Sequence, residues 1–189
     1  MQKIILASQS PRRKQLLQWA EIDFDVIVSD SDESFPGGLS FEQTAIHIAR
    51  NKALAVVKKN VDGLAVLAAD TIVVCHGEIL GKPTDRDDAI QILKKLSGTT
   101  HQVITGVVIL KNKNEIAFAD ITRVAFHELT LEQIIFYVDK YKPYDKAGAY
   151  AIQEWIGVVG IESISGDFYN VMGLPVSRVV REISRMDAG

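Results

Sequence analysis

Ile4-Ile5-Leu6-Ala7-Ser8-Gln9-Ser10-Pro11-Arg12-Arg13 reads as a short apolar strand running through a tight turn into the start of a helix. Ser10 is a good N-cap, and Pro11 suits the first helical position, where its missing N–H has no partner to lose. Such a helix start presents free backbone N–H groups and a partial positive charge, which together favour an anion. Two consecutive arginines run against the helix dipole, which prefers acids in the first turn. A phosphate held between the amides and the guanidinium groups removes that conflict. The plainer alternative is a pair of solvated arginines.

Outward from this stretch, apolar runs and capping signals alternate, which is the α/β pattern. Phe24–Val28 predicts a second strand, leading into the acidic turn Ser29-Asp30-Ser31-Asp32-Glu33. Ser40 and Gln43 form a capping box for a helix reaching about Lys59. The continuous apolar run Leu64–Ala69 predicts a central strand that ends on Asp70. Thr71–Cys75 and Glu78–Leu80 flank a turn at His76-Gly77, and Thr84 with Asp87 caps a helix ending near Leu96. Val103–Leu110 and Glu115–Phe126 predict strands joined by the polar turn Lys111-Asn112-Lys113-Asn114. Thr130–Val138 and Pro175–Arg185 predict further helices. No repeat or low-complexity linker interrupts the series, so residues 1–189 are expected to form a single bilobed domain around a cleft.

Composition narrows the class of function. Hydrophobic residues make up 47% of the 189 and charged residues 24%, the balance of an ordinary globular protein. A net charge of −3 argues against a general nucleic-acid binder, which usually carries a basic field. A local basic cluster in a mildly acidic chain fits a small polyanion better. The one cysteine, Cys75, has no internal partner and is expected to be a reduced, buried thiol. No apolar stretch approaches the roughly 20 residues needed to cross a membrane. The apolar run at the N-terminus is too short for a secretory signal, so the expected location is the cytoplasm.

Polar residues at apolar places supply the chemistry. Asp70 closes the most apolar run, where a carboxylate at a strand's carboxyl end can meet metal or water; the alternative is an Asp that caps a turn. Lys52 falls in helical phase with Ala45, Ala49 and Val56, so it either snorkels along the stripe or points into a polar site. In Gly81-Lys82-Pro83, glycine permits close backbone approach and proline stiffens the turn that aims Lys82. Tyr144-Asp145-Lys146-Ala147-Gly148-Ala149-Tyr150-Ala151-Ile152-Gln153 suggests backbone drawn close to a ligand, with the Gln153 amide able to donate and accept at a base edge; an edge strand is the alternative. With Glu33 added, the set holds the carboxylates and cations that phosphoryl chemistry on a nucleotide needs. The histidines are scattered rather than spaced as zinc ligands, and a G-x-S-x-G elbow is absent.

Taken in register, Ser8-Gln9-Ser10-Pro11-Arg12-Arg13, Ala68-Ala69-Asp70-Thr71, Gly81-Lys82-Pro83 and Tyr144-Asp145-Lys146-Ala147-Gly148 resemble the Maf family of nucleotide pyrophosphatases over essentially the whole chain. The resemblance implies an elongated mixed sheet flanked by helices, with two lobes around a nucleotide cleft. It implies hydrolysis of a nucleoside triphosphate to the monophosphate and pyrophosphate with a divalent cation, Mg²⁺ or Mn²⁺. Carried onto this chain, Arg13, Lys52 and Lys82 contact the triphosphate beside Ser8 and Ser10. Glu33 and Asp70 hold the metal, with Asp70 the base for water, and Lys146 belongs to the substrate site. Arg12, Thr71 and Gln153 resemble the branch acting on dTTP and UTP. Glu154 departs from relatives that carry glycine after the glutamine. The resemblance also suggests a homodimer, with no nucleic-acid or membrane partner. A 7-methyl-GTP-type enzyme of the same family and a non-catalytic nucleotide-binding regulator of cell division are the competing expectations.

Overall fold

In a computed structural model, which describes residues 2–28, 33–59 and 63–188, the opening stretch forms strand β1 (Ile4–Leu6) and helix α1 (Pro11–Trp19). The Ser10 hydroxyl accepts the Arg13 backbone N–H at 3.4 Å, the N-cap bond its position requires. Strand β2 (Phe24–Val26) lies parallel to β1, and β1 lies parallel to β3 (Ala65–Cys75), so Ile4 faces Phe24 on one side and Ala65 on the other. The turn at Ser29-Asp30-Ser31-Asp32 lies outside the described residues, although Glu33 is within them. Helix α2 (Phe41–Val57) carries the full capping box. The Ser40 hydroxyl accepts from the Gln43 N–H, and the Gln43 side chain accepts from the Ser40 N–H.

Strand β3 corrects the sequence-based boundary, because it does not end at Asp70. It runs unbroken to Cys75, with only Asp70 and Thr71 less than fully buried. Both side chains have partners that satisfy them within a strand, so no turn is needed there. His76 and Gly77, at φ of 50° and 77°, then join β3 to antiparallel β4 (Glu78–Leu80). Positive φ at both central residues is the geometry that matches the right-handed twist of a hairpin. Helix α3 (Arg86–Leu96) is capped one residue later than Thr84. Asp85 accepts the Asp88 N–H at 2.9 Å, and the Asp88 carboxylate reaches back to the Thr84 N–H. With Asp85 at the N-cap, Asp88 rather than Asp87 stands three residues on and donates the capped N–H.

Strands β5 (Thr100–Lys111) and β6 (Asn114–Phe126) meet through Asn112-Lys113, and α4 (Leu131–Tyr141) starts on the Thr130/Gln133 capping box. A 3₁₀ turn at Ala147–Ala149 precedes α5 (Trp155–Gly160), and β7 (Ile161–Ser165) pairs antiparallel with β6. Helices α6 (Phe168–Val171) and α7 (Val176–Ala188) complete the chain. The strand order is β2-β1-β3-β5-β6-β7, with β4 on β3, a mixed seven-stranded sheet flanked by helices as expected.

The chain divides into two compact units. The first comprises Met1–Thr71, Thr105–Asp120 and Gly173–Gly189. Its core sets Ile5, Val66, Ala68 and Val108 of the sheet, with Ala7 just past β1, together with Ala49, Ala53 and Val56 of α2. The approach is close: a Cβ on Gly106 would stand 2.3 Å from the Ala45 carbonyl carbon, so only glycine lets α2 lie there. The second unit comprises Ile72–Ile104 and Ile121–Met172. There α3 packs on α4, Leu93, Leu96, Ile134 and Val138 of these helices are buried, and the rings of His101, Phe126 and Tyr150 meet edge to face.

Candidate functional site

In the first unit, the α1 arginines diverge. Arg12 is half-buried, whereas Arg13 turns inward and is 9% exposed. Its Nε donates to the Gly173 carbonyl at 2.8 Å, one Nη to the Ser8 hydroxyl at 3.1 Å and the other to the Thr71 hydroxyl at 3.0 Å. The Ser8 hydroxyl also accepts the Ser10 N–H at 3.2 Å, and the Thr71 and Thr105 hydroxyls stand 3.0 Å apart. Among the described residues, every hydrogen-bond partner of Arg13 is neutral. Burial pushes its guanidinium below its usual pKa; Arg12 adds to that push, while Asp70 and Glu33 oppose it. A cation fixed by neutral groups in a desolvated place retains charge to offer an anion.

Beside it, Lys52 of α2 does not merely snorkel. Its ammonium donates to Asp70 Oδ1 at 2.6 Å and lies 2.8 Å from Glu33 Oε1. Lys52 and Asp70 are largely buried, at 15% and 14% side-chain exposure, while Glu33 is half exposed. Carboxylates separated by 37 positions in sequence thus converge on one cation. Among the described residues, no group of three or more His, Cys, Asp and Glu converges. A divalent ion of the magnesium type asks for less than that: one or two carboxylates, with water and substrate phosphates supplying the rest. Two carboxylates already directed at one positive charge fit that requirement.

In the second unit, Lys82 and Gln153 are exposed, and Lys146 is buried to 8% exposure. The Lys146 ammonium donates to Asp145 Oδ1 at 2.7 Å and lies 3.7 Å from Glu154 Oε1. The small residues at Ala147-Gly148-Ala149 serve contacts within the protein. Gly148 donates its N–H to the Gly81 carbonyl at 3.0 Å, and a Cβ on it would meet Val73 at 3.0 Å. This bond ties the segment after Lys146 to the Gly81-Lys82-Pro83 turn.

The first unit therefore gathers Ser8, Ser10, Arg12, Arg13, Glu33, Lys52, Asp70 and Thr71, and the second holds Lys82, Lys146 and Gln153. Sequence reasoning missed Thr105 and Gly173, the partners of Thr71 and Arg13. A threonine-glycine pair inside the apolar run Val103–Leu110 was a signal for the first, and a glycine just ahead of Leu174-Pro175 for the second.

The first unit thus holds a buried arginine with neutral hydrogen-bond partners and a lysine shared by two acids. Residues 3–186 match the family described as Maf-like protein, and the chain belongs to that family. It is 48% identical over 182 residues to the dTTP/UTP pyrophosphatase of Parabacteroides distasonis, covering 96% of this chain and 94% of that one. It is equally identical over 185 residues to the dTTP/UTP pyrophosphatase of Bacteroides fragilis, covering 97% and 96%. The solved structure of the Staphylococcus aureus Ham1 protein is similar over 66% of this chain and 72% of that one, with 17% identity and a TM-score of 0.45, a likeness too partial to argue from.

Proposed function

We propose that this protein is a nucleoside triphosphate pyrophosphatase that hydrolyses dTTP and UTP to the monophosphate and pyrophosphate. Relatives named for that activity are nearly half identical over almost the full length. The structural observation that carries the reading is the buried Arg13 guanidinium, held by Ser8, Thr71 and Gly173 and matched by no carboxylate among its hydrogen-bond partners. A triphosphate supplies the missing negative charge.

In this reading, Arg13, Lys52 and Lys82 bind phosphate oxygens beside the Ser8–Ser10 turn, and Thr71 serves by fixing the guanidinium. Arg12 and Gln153 contribute to the choice of a pyrimidine nucleotide, and Lys146 orders the segment that carries Gln153. Glu33 and Asp70 hold a divalent cation, Mg²⁺ or Mn²⁺, which when bound neutralises phosphate charge and makes its water more acidic. Asp70 accepts the proton of the attacking water. The water oxygen bonds to the α-phosphorus as the bond to the bridging oxygen breaks, and pyrophosphate leaves with that electron pair. Lys52 donates to Oδ1 of Asp70, so the proton goes to Oδ2, and the incoming triphosphate offers the ammonium a further acceptor. The enzyme works in the cytoplasm, where free nucleoside triphosphates are found.

The test is pyrophosphate release from dTTP, UTP, CTP, 7-methyl-GTP and ITP, with and without a chelator. Turnover of dTTP and UTP that chelation abolishes is expected, and Asp70→Asn should lower it by roughly 10²–10⁴-fold while leaving the fold intact. Preference for 7-methyl-GTP would keep the chemistry and remove the pyrimidine assignment. Nucleotide binding without release would make the protein a regulator instead of an enzyme.

A further inference from the structure

Gln153 lies at the third position of a tight turn whose ends are held by one side chain. The turn is Ala151-Ile152-Gln153-Glu154, closed by the Glu154 N–H donating to the Ala151 carbonyl at 3.1 Å. The Tyr137 hydroxyl accepts the Ala151 N–H at 3.1 Å and donates to the Glu154 carboxylate. Both ends of the turn therefore meet on one phenol oxygen. That phenol belongs to a fully buried residue of α4, stacked on Tyr141 with ring centroids 5.0 Å apart. Ala151 and Ile152 are buried while Gln153 is exposed, so the turn holds its apolar half inward and presents the amide outward. On the far side, a Cβ on Gly157 would stand 1.7 Å from the Ile152 carbonyl oxygen, so α5 presses on the same turn. Glu154 also lies 3.7 Å from the Lys146 ammonium, which couples the turn to that cation.

We infer that Tyr137 and Glu154 are positioning residues for nucleobase selection: together they fix the backbone that carries Gln153. This rests on the reading in which the Gln153 amide meets the pyrimidine. A turn tethered only by its own backbone bond samples several orientations, and an amide that must meet a donor and an acceptor edge loses binding with each of them. The phenol removes that freedom without touching the nucleotide. A glycine or alanine at position 154 would offer the phenol no acceptor.

The test is the ratio of kcat/KM for UTP to that for CTP, in the intact enzyme and in Gln153→Ala, Tyr137→Phe and Glu154→Ala, with folding checked by circular dichroism. Tyr137→Phe keeps the buried ring and removes both bonds of the oxygen. It should lower the UTP:CTP ratio by roughly tenfold, mainly through KM for UTP, with kcat held within about threefold. Glu154→Ala opens one end of the clamp and should move the ratio in the same direction, less far; it decides the matter if Tyr137→Phe does not fold. A purely structural role would lower both substrates together and leave the ratio alone, which would overturn the inference. If Gln153→Ala itself keeps the ratio, the amide does not read the base, and the underlying reading fails. If Gln153→Ala abolishes the ratio while Tyr137→Phe and Glu154→Ala leave it, only the clamp fails.

Discussion

Arg13 shows what residue identity settles and what it leaves open. An arginine in the first turn of a helix announces an anion through the conflict with the helix dipole. Its three acceptors, however, come from positions 8, 71 and 173, and nothing local connects them. The planar fork of the guanidinium reaches all three at once, and a lysine ammonium cannot. Arg13→Lys should therefore leave buried acceptors short of donors and cost about 1–3 kcal/mol in denaturant unfolding. It should also lower kcat/KM for UTP by roughly 100-fold; a variant within twofold of the parent would remove Arg13 from the phosphate site. Lys52 follows the same logic. Its helical phase admits both snorkelling, the commoner outcome, and a polar site, and the choice between them is made by Asp70 and Glu33, on segments the periodicity of α2 does not describe.

Elements were legible wherever a local rule governed them. The Ser40/Gln43 and Thr130/Gln133 boxes start α2 and α4 where their side chains dictate, because a capping box is complete within four residues. Strand β3 was cut short because Asp70 and Thr71 read as the end of an apolar run, whereas their partners are long-range: Lys52, Arg13 and Thr105. Helix α5 and strand β7 gave no warning, since α5 lacks a side-chain cap and β7 alternates too weakly to mark a face. Helix α2 supplies the prediction at this scale. Gly106 on β5 admits the helix backbone so closely that Gly106→Ala forces either strand or helix to move. Overpacking against backbone, with no flexible side chain to yield, should cost about 3 kcal/mol or more and displace Lys52 with its helix. Gly37→Ala, with nothing within 4 Å of the added methyl and no positive φ, should leave the denaturation midpoint unchanged. Equal midpoints for the two variants would show that α2 and β5 yield without strain.

For the molecule as a whole, His101, a polar group that the proposed chemistry does not use, contributes to the response to acid. His101 is 1% exposed, its Nε2 lies 2.8 Å from the Tyr150 hydroxyl, and its Nδ1 is buried with no hydrogen-bond partner among the described residues. Burial alone lowers its pKa from 6.5 to about 4, so the folded protein holds the imidazole neutral where the unfolded chain protonates it. Burial likewise pushes the Tyr150 phenol up, so it stays a neutral partner throughout the range. Between those two pKa values the unfolded state binds more protons, and stability therefore rises with pH. The contribution is complete above about pH 6.5 and is lost progressively as pH falls toward 4, up to about 3 kcal/mol in all. His101→Gln keeps a side chain able to meet the Tyr150 hydroxyl but cannot take a proton in this range. Unfolding free energies by denaturant titration at pH 7.5, 6, 5 and 4.5 should therefore show the parent losing stability faster than the variant as pH falls. Parallel curves would mean that His101 titrates alike in folded and unfolded chains, and that the buried Nδ1 has found water.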